Sequence, residues 1–253
     1  MEKGTVVITD ARTREARDAG AFLAESGWDV RFLPENTRLW DEEEVSAFAR
    51  AHRETLAGVI HPAPPLYLSP LAEVTEEQIL QAGREGPLAA WCVAKVFGGL
   101  FREKGRGTII FLNSIHAEKP MGRGALFSME CGAVQMLQRE INQDYGPAGV
   151  RSFFIQRGIT ETDPDVRNDL SSLYFGVPSR YPERKMPQPG QLNELLAFLL
   201  SPGAAALSGS DLRADGGLTM YYGERISEER AKKLREERAR GQAREVTIIG
   251  EDP

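Results

Sequence analysis

Short β-branched runs alternate along this chain with stretches whose apolar residues recur every three or four positions, and that alternation predicts most of its architecture. Thr5–Thr9 predicts a strand, and after a polar turn Ala16–Glu25 carries apolar residues at helical spacing. Gly27 closes that helix, Trp28–Leu33 predicts a second strand, and Asp41–Ala49 opens on acidic residues, which the positive end of a helix dipole favours. Leu56–Ile60 predicts a strand, Glu73–Phe101 a largely helical stretch, Gly107–Leu112 a strand, Leu126–Tyr145 a helix and Val150–Gln156 a strand. A short apolar helix over Gln191–Leu200 and a last strand over Gly209–Asp215, running into Gly216-Gly217, complete the series. Strands separated by helices of this kind are crossover units of a mainly parallel sheet covered on both faces. The expected fold is therefore α/β, a Rossmann-like doubly wound parallel sheet in one domain over residues 1–223, with a charged C-terminal extension over 224–253.

Two stretches depart from the alternation. Residues 159–186 are rich in Asp, Pro, Ser and Tyr, and a long loop beyond the carboxyl end of a strand is the expected lid of a ligand crevice. Tyr174, Phe175 and Tyr181 in that lid either contact an acyl or aromatic ligand or pack the lid onto the helices. Residues 224–245 hold eight Arg/Lys and six Asp/Glu, and Ser227 followed by Glu228 and Glu229 predicts an exposed helix over Ser227–Arg240. Composition narrows the classes further. With 31 basic against 37 acidic residues the formal charge is −6, which speaks against nucleic acid as the main ligand. Two cysteines and three histidines leave neither a disulfide framework nor clustered metal-ligand spacing. No run of 18 apolar residues and no basic-then-apolar start is present, so a cytoplasmic protein without membrane or metal is expected.

Three pieces then stand out in order: Gly105-Arg-Gly-Thr-Ile-Ile-Phe-Leu-Asn-Ser114, Phe127-Ser-Met-Glu-Cys-Gly-Ala-Val134, and Phe198-Leu-Leu-Ser201 leading to Ala214-Asp215-Gly216-Gly217. With these pieces the chain resembles the short-chain dehydrogenase/reductase family over roughly residues 4–222. The resemblance implies a dinucleotide held by a Thr-Gly-x-x-x-Gly-x-Gly turn, but here the stretch reads Thr9-Asp10-Ala11-Arg12-Thr13-Arg14-Glu15-Ala16, with Asp10, Arg14 and Ala16 at the glycine positions. Arg12 and Arg14 either bind an anion of their own or pair with neighbouring carboxylates. The acidic residue expected at the end of the second strand falls at Pro34, beside Glu35; the expected Asn-Asn-Ala-Gly reads His61-Pro62-Ala63-Pro64; and the Pro-Gly beside the nicotinamide reads Arg157-Gly158. His61 is expected to satisfy a turn after its strand, and His52 to be a solvated helix residue.

The family tetrad of Tyr, Lys, Ser and Asn maps onto Phe127, Cys131, Ser114 and Gly83, so only the serine is kept. A phenyl ring has no exchangeable proton, and losing a positioned acid/base removes roughly 10²–10⁴ in rate. The resemblance thus implies a degenerate member that binds no cofactor itself and assembles, in a heterotetramer, with a homologous subunit carrying NAD and catalysis. The competing readings are a cofactor-independent enzyme using Ser114, His116 and Cys131, and a ligand sensor in the same crevice. The family also pairs subunits through the long helices. Ala133, Val134, Leu137 and Ile141 recur at helical spacing on one of them and are the expected interface positions.

Overall fold

The computed structural model describes residues 3–120, 122–160, 181–183, 185–220, 232, 233 and 236. Six parallel strands form one sheet: β1 (Thr5–Ile8), β2 (Asp29–Phe32), β3 (Leu56–Pro62), β4 (Gly107–Ser114), β5 (Val150–Arg157) and β6 (Asp211–Ala214), in the spatial order β2-β1-β3-β4-β5-β6. Alternate side chains of the same strands enter different layers. Val7, Val59, Phe111 and Phe154 point into a core with Val45 of α2 (Glu42–Ala51), Phe97 of α4 (Ala89–Lys104) and Val134 of α5 (Ala125–Tyr145). Val6, Ile8, Ile60, Ile110 and Phe153 point the other way, against Leu23 of α1 (Arg14–Glu25) and Leu196 of α6 (Asn193–Leu200). Both faces are therefore covered, and the doubly wound sheet expected from the alternation is what the chain forms.

Local chemistry explains the helix starts. Thr13 accepts a hydrogen bond from the Ala16 N–H at the head of α1, and Asp41 accepts from Glu43 and Glu44 at the head of α2. The stretch expected as one helix over Glu73–Phe101 is subdivided instead. A 3₁₀ turn at Leu71–Glu73 precedes α3 (Glu76–Gly83), which opens on a Thr75/Gln78 capping box, and a π-helical turn over Arg84–Leu88 joins α3 to α4. Pro87 lies inside that π turn and lacks the N–H of a regular ladder, which is the local cause of the break.

Of the expected lid, residues 159, 160, 181–183, 185 and 186 are described. Tyr181 is buried and donates to the Ile159 carbonyl at 2.7 Å, so it packs the loop onto the body. Tyr174 and Phe175 lie outside the described residues. The helix expected over Ser227–Arg240 lies largely outside them too; Lys232, Lys233 and Glu236 are helical. Among the described residues no helix is long and apolar enough to cross a membrane.

Candidate functional site

The chain runs outward from β1 to β2 and then crosses back to β3 on the other side of β1. Order reversal of this kind opens a crevice at the carboxyl ends of β1 and β3, where parallel α/β sheets bind ligands. The side chains that meet there are bonded to one another. Thr9 Oγ1 and His61 Nδ1 share a buried 2.7 Å hydrogen bond across the two strand ends. His61 is not a turn residue, as expected from sequence, but lies within β3 and is buried; desolvation lowers its pKa to about 4, against the opposing pull of Asp10, so the imidazole is neutral.

Asp10 is gripped by Arg12 through both carboxylate oxygens, with contacts of 2.6–3.0 Å, and it also accepts the Arg12 N–H. Arg14 pairs with Asp18 one helical turn on, at 3.4 Å. Of the two readings for these arginines, the structure shows pairing with neighbouring carboxylates. Glu15, on the first turn of α1, reaches across to Arg157 at the end of β5, with Nε to Oε2 at 3.0 Å and both side chains largely buried. Arg157 also donates to the Gly158 carbonyl at 3.0 Å. Ala16 is buried in the core layer under α1. Pro34 and Pro64, with Pro62, offer no N–H to a ligand.

These residues do not fit a dinucleotide diphosphate. A diphosphate needs bare backbone N–H groups, and the turn presents the side chains of Asp10, Arg14 and Ala16 at the positions where the family turn has glycine. Arg12 and Arg157 are already paired with Asp10 and Glu15, so a diphosphate seated there would compete with those carboxylates.

The residues that the resemblance sets at the family's reaction centre lie at the end of β4 and along α5, with Gly83 on α3. Ser114 is buried and its hydroxyl accepts the His116 N–H at 3.2 Å. The His116 ring stands edge-on to Phe127 with centroids 6.0 Å apart, and its Nδ1 bonds the Lys119 carbonyl at 2.8 Å. Phe127 is 5% exposed and Cys131 fully buried. Desolvation, then the Glu130 carboxyl, push the Cys131 thiol well above its ordinary range, against a smaller lowering effect of Arg157. A reactive thiol needs the opposite setting. Gly83 closes α3 with open space where a side chain would stand.

Two features at this edge were not singled out from the sequence. Tyr67, in the loop after β3, donates to Glu85, which also accepts from Gln81. Burial and that bond raise Tyr67 to about 12. Glu130, on the buried side of α5, is raised to about 8 by desolvation and then by Glu85. Its place was legible as helical spacing, since 127, 130, 131, 134 and 141 share the inward stripe of α5.

That same stripe corrects the expected interface positions. Val134 and Ile141 are core residues and Leu137 packs on the core; among the four, only Ala133 faces outward. Met129 and Met136 of α5, and Leu88 and Trp91 at the start of α4, are instead among the exposed large apolar side chains.

Residues 1–219 match the family model described as enoyl-(acyl carrier protein) reductase. Among curated proteins, the vibriobactin-specific 2,3-dihydro-2,3-dihydroxybenzoate dehydrogenase of Vibrio cholerae is 26% identical over 193 residues, covering 71% of this chain and 69% of that protein. A tropinone reductase homolog of Arabidopsis thaliana is 26% identical over 153 residues, 60% of this chain, which thus spans 50% of that relative's length. Among solved structures, a gluconate 5-dehydrogenase from Burkholderia cenocepacia in complex with NADP and tartrate superposes with a TM-score of 0.77 at 19% identity, covering 88% of this chain and 97% of that one.

Proposed function

Because this chain belongs to the short-chain dehydrogenase/reductase family of oxidoreductases, we propose that it is a non-catalytic subunit of such an enzyme, binding neither NAD nor NADP. In this reading it assembles with a homologous NAD-dependent alcohol dehydrogenase subunit, as a heterotetramer, that acts on a hydroxyacyl-CoA such as 2-(α-hydroxybenzyl)succinyl-CoA of anaerobic toluene degradation. The observation that carries the reading is the pair Phe127 and Cys131, both buried on α5 where the family places its general acid/base and the lysine that tunes it. Neither can supply or tune the proton of a carbonyl reduction. The Glu15–Arg157 ion pair and the Thr9–His61 bond support it from the cofactor side, since both tie together groups that line the crevice. The exposed Leu88, Trp91, Met129 and Met136 support the assembly, being apolar surface that a partner would cover.

Titration of the pure chain with NADH, followed by Trp fluorescence, is expected to give no saturable binding at micromolar concentration. Native mass spectrometry of protein purified from its natural source is expected to show a second, homologous chain. Saturable NADH binding, or homo-oligomers alone, would overturn the proposal. The cofactor-free alternative needs a thiolate at Cys131, and the buried, raised thiol argues against it.

A further inference from the structure

Glu130 is 3% exposed, and neither of its carboxyl oxygens finds a hydrogen-bond partner among the described residues. It packs against the π turn: a Cβ placed on Gly86 would lie 2.6 Å from its Oε1 and 2.9 Å from its own Cβ. Among the described residues, no cation acts on it strongly enough to offset its burial. Burial raises it first, and the Glu85 charge, from the π turn, raises it further. Tyr67, from the loop after β3, feels the Glu130 charge but gives its hydroxyl to Glu85. Arg12, from the turn after β1, acts on Tyr67 and Glu85 and is committed to Asp10. Cys131 is its neighbour on α5, a buried thiol. A carboxylate left unpaired in such a place costs several kcal/mol, whereas the neutral acid costs far less. A short π turn interrupted by Pro87 is also the segment of α3–α4 whose ladder is already broken, so local opening there relieves the charge more cheaply than global unfolding.

We propose that Glu130 is a proton-dependent latch: carrying its proton it lets α5 seat against the π turn over Arg84–Leu88, and on losing the proton it drives that seam open. The opened form solvates both Glu130 and Glu85, while the sheet and its two core layers stay in place. Leu88 ends the π turn and Met129 adjoins Glu130 in the chain, both with exposed side chains, so opening of the seam would disturb apolar surface there. That coupling to assembly rests on the partner-subunit reading; the latch itself does not.

Hydrogen exchange of the full chain, corrected for intrinsic rates, tests it. Protection of the amides around residues 85–92 is expected to fall by up to about tenfold per pH unit between about pH 5 and 8 and then level off. In Glu130→Gln the same amides are expected to change by less than about twofold over that range. In Glu85→Gln the range closes at lower pH, because the opposing carboxylate is gone. A carboxyl ¹³C NMR titration of the unsubstituted chain reads the group directly, should Glu130→Gln not fold. An identical pH response in both proteins, or a Glu130 carboxyl titrating at its ordinary value, would overturn the latch whatever the chain assembles with. Native mass spectra of the hetero-complex unchanged between pH 6 and 8 would overturn only its coupling to assembly.

Discussion

Glu15 and Arg157 come from the first helix and the fifth strand, and their contact sets the character of the crevice more than any single replacement does. With both side chains largely removed from water, deleting one leaves the other an uncompensated charge, so Glu15→Ala is expected to cost about 3 kcal/mol in urea unfolding. A loss under about 0.5 kcal/mol would show that the pair is solvated. Two other residues give the stability a pH profile of opposite signs. His61 has a folded pKa near 4 against an ordinary 6.5, so the unfolded chain binds the extra proton and stability falls as pH drops from about 6.5 to 4. Glu130, raised from 4.5 to about 8, holds its proton in the folded state, so stability falls as pH rises from about 4.5 to 8. At about 1.4 kcal/mol per pH unit the Glu130 effect is bounded near 5 kcal/mol. Glu130→Gln is expected to be more stable than the parent at pH 8 and equal to it near pH 4.5, read as denaturation midpoints at each pH. The assignment of Phe127 and Cys131 to the family's Tyr and Lys positions came from the family resemblance. The Glu15–Arg157 and Thr9–His61 contacts were not legible in the sequence, because each joins distant segments that only the folded sheet brings together.

At the scale of elements, the π turn between α3 and α4 is the departure from the expected helix, and it matters because α5 packs on it. Gly86 has no room for a methyl group against Glu130, and the closeness involves the Cβ of Glu130 as well as its mobile end. Gly86→Ala is therefore expected to destabilise the chain by about 2 kcal/mol, as overpacking does; an unchanged thermal midpoint would show that the seam yields freely. The exposed apolar side chains behave differently. Trp91 is 43% exposed and Met129 63%, so Trp91→Ala is expected to change the stability of the isolated chain by less than about 1 kcal/mol while weakening association with the proposed partner subunit, as measured by native mass spectrometry. Helical periodicity identified an apolar stripe on α5, but a single helix does not say which stripe faces its own core. Val134 and Ile141 face inward because β4, β5 and α4 lie on that side.

At the scale of the molecule, a complete doubly wound scaffold carries a crevice whose groups are committed to one another. Restoring the acid/base pair alone is then insufficient: Phe127→Tyr with Cys131→Lys is expected to give no NADPH-linked reduction of carbonyl substrates, because Asp10 and Glu15 still oppose a diphosphate. Measurable turnover by that double variant would overturn the reading of the cofactor turn. The fold class and the order of strands were determined by the sequence itself, since they depend on short-range periodicity, whereas Phe127, Cys131, Ser114 and Gly83 were singled out through the family resemblance. The neutral His61, the ion pair sealing Glu15 to Arg157, the thiol buried beyond reaction and the unpartnered Glu130 were decided only by tertiary structure, because burial and charge pairing depend on what the fold packs beside each group.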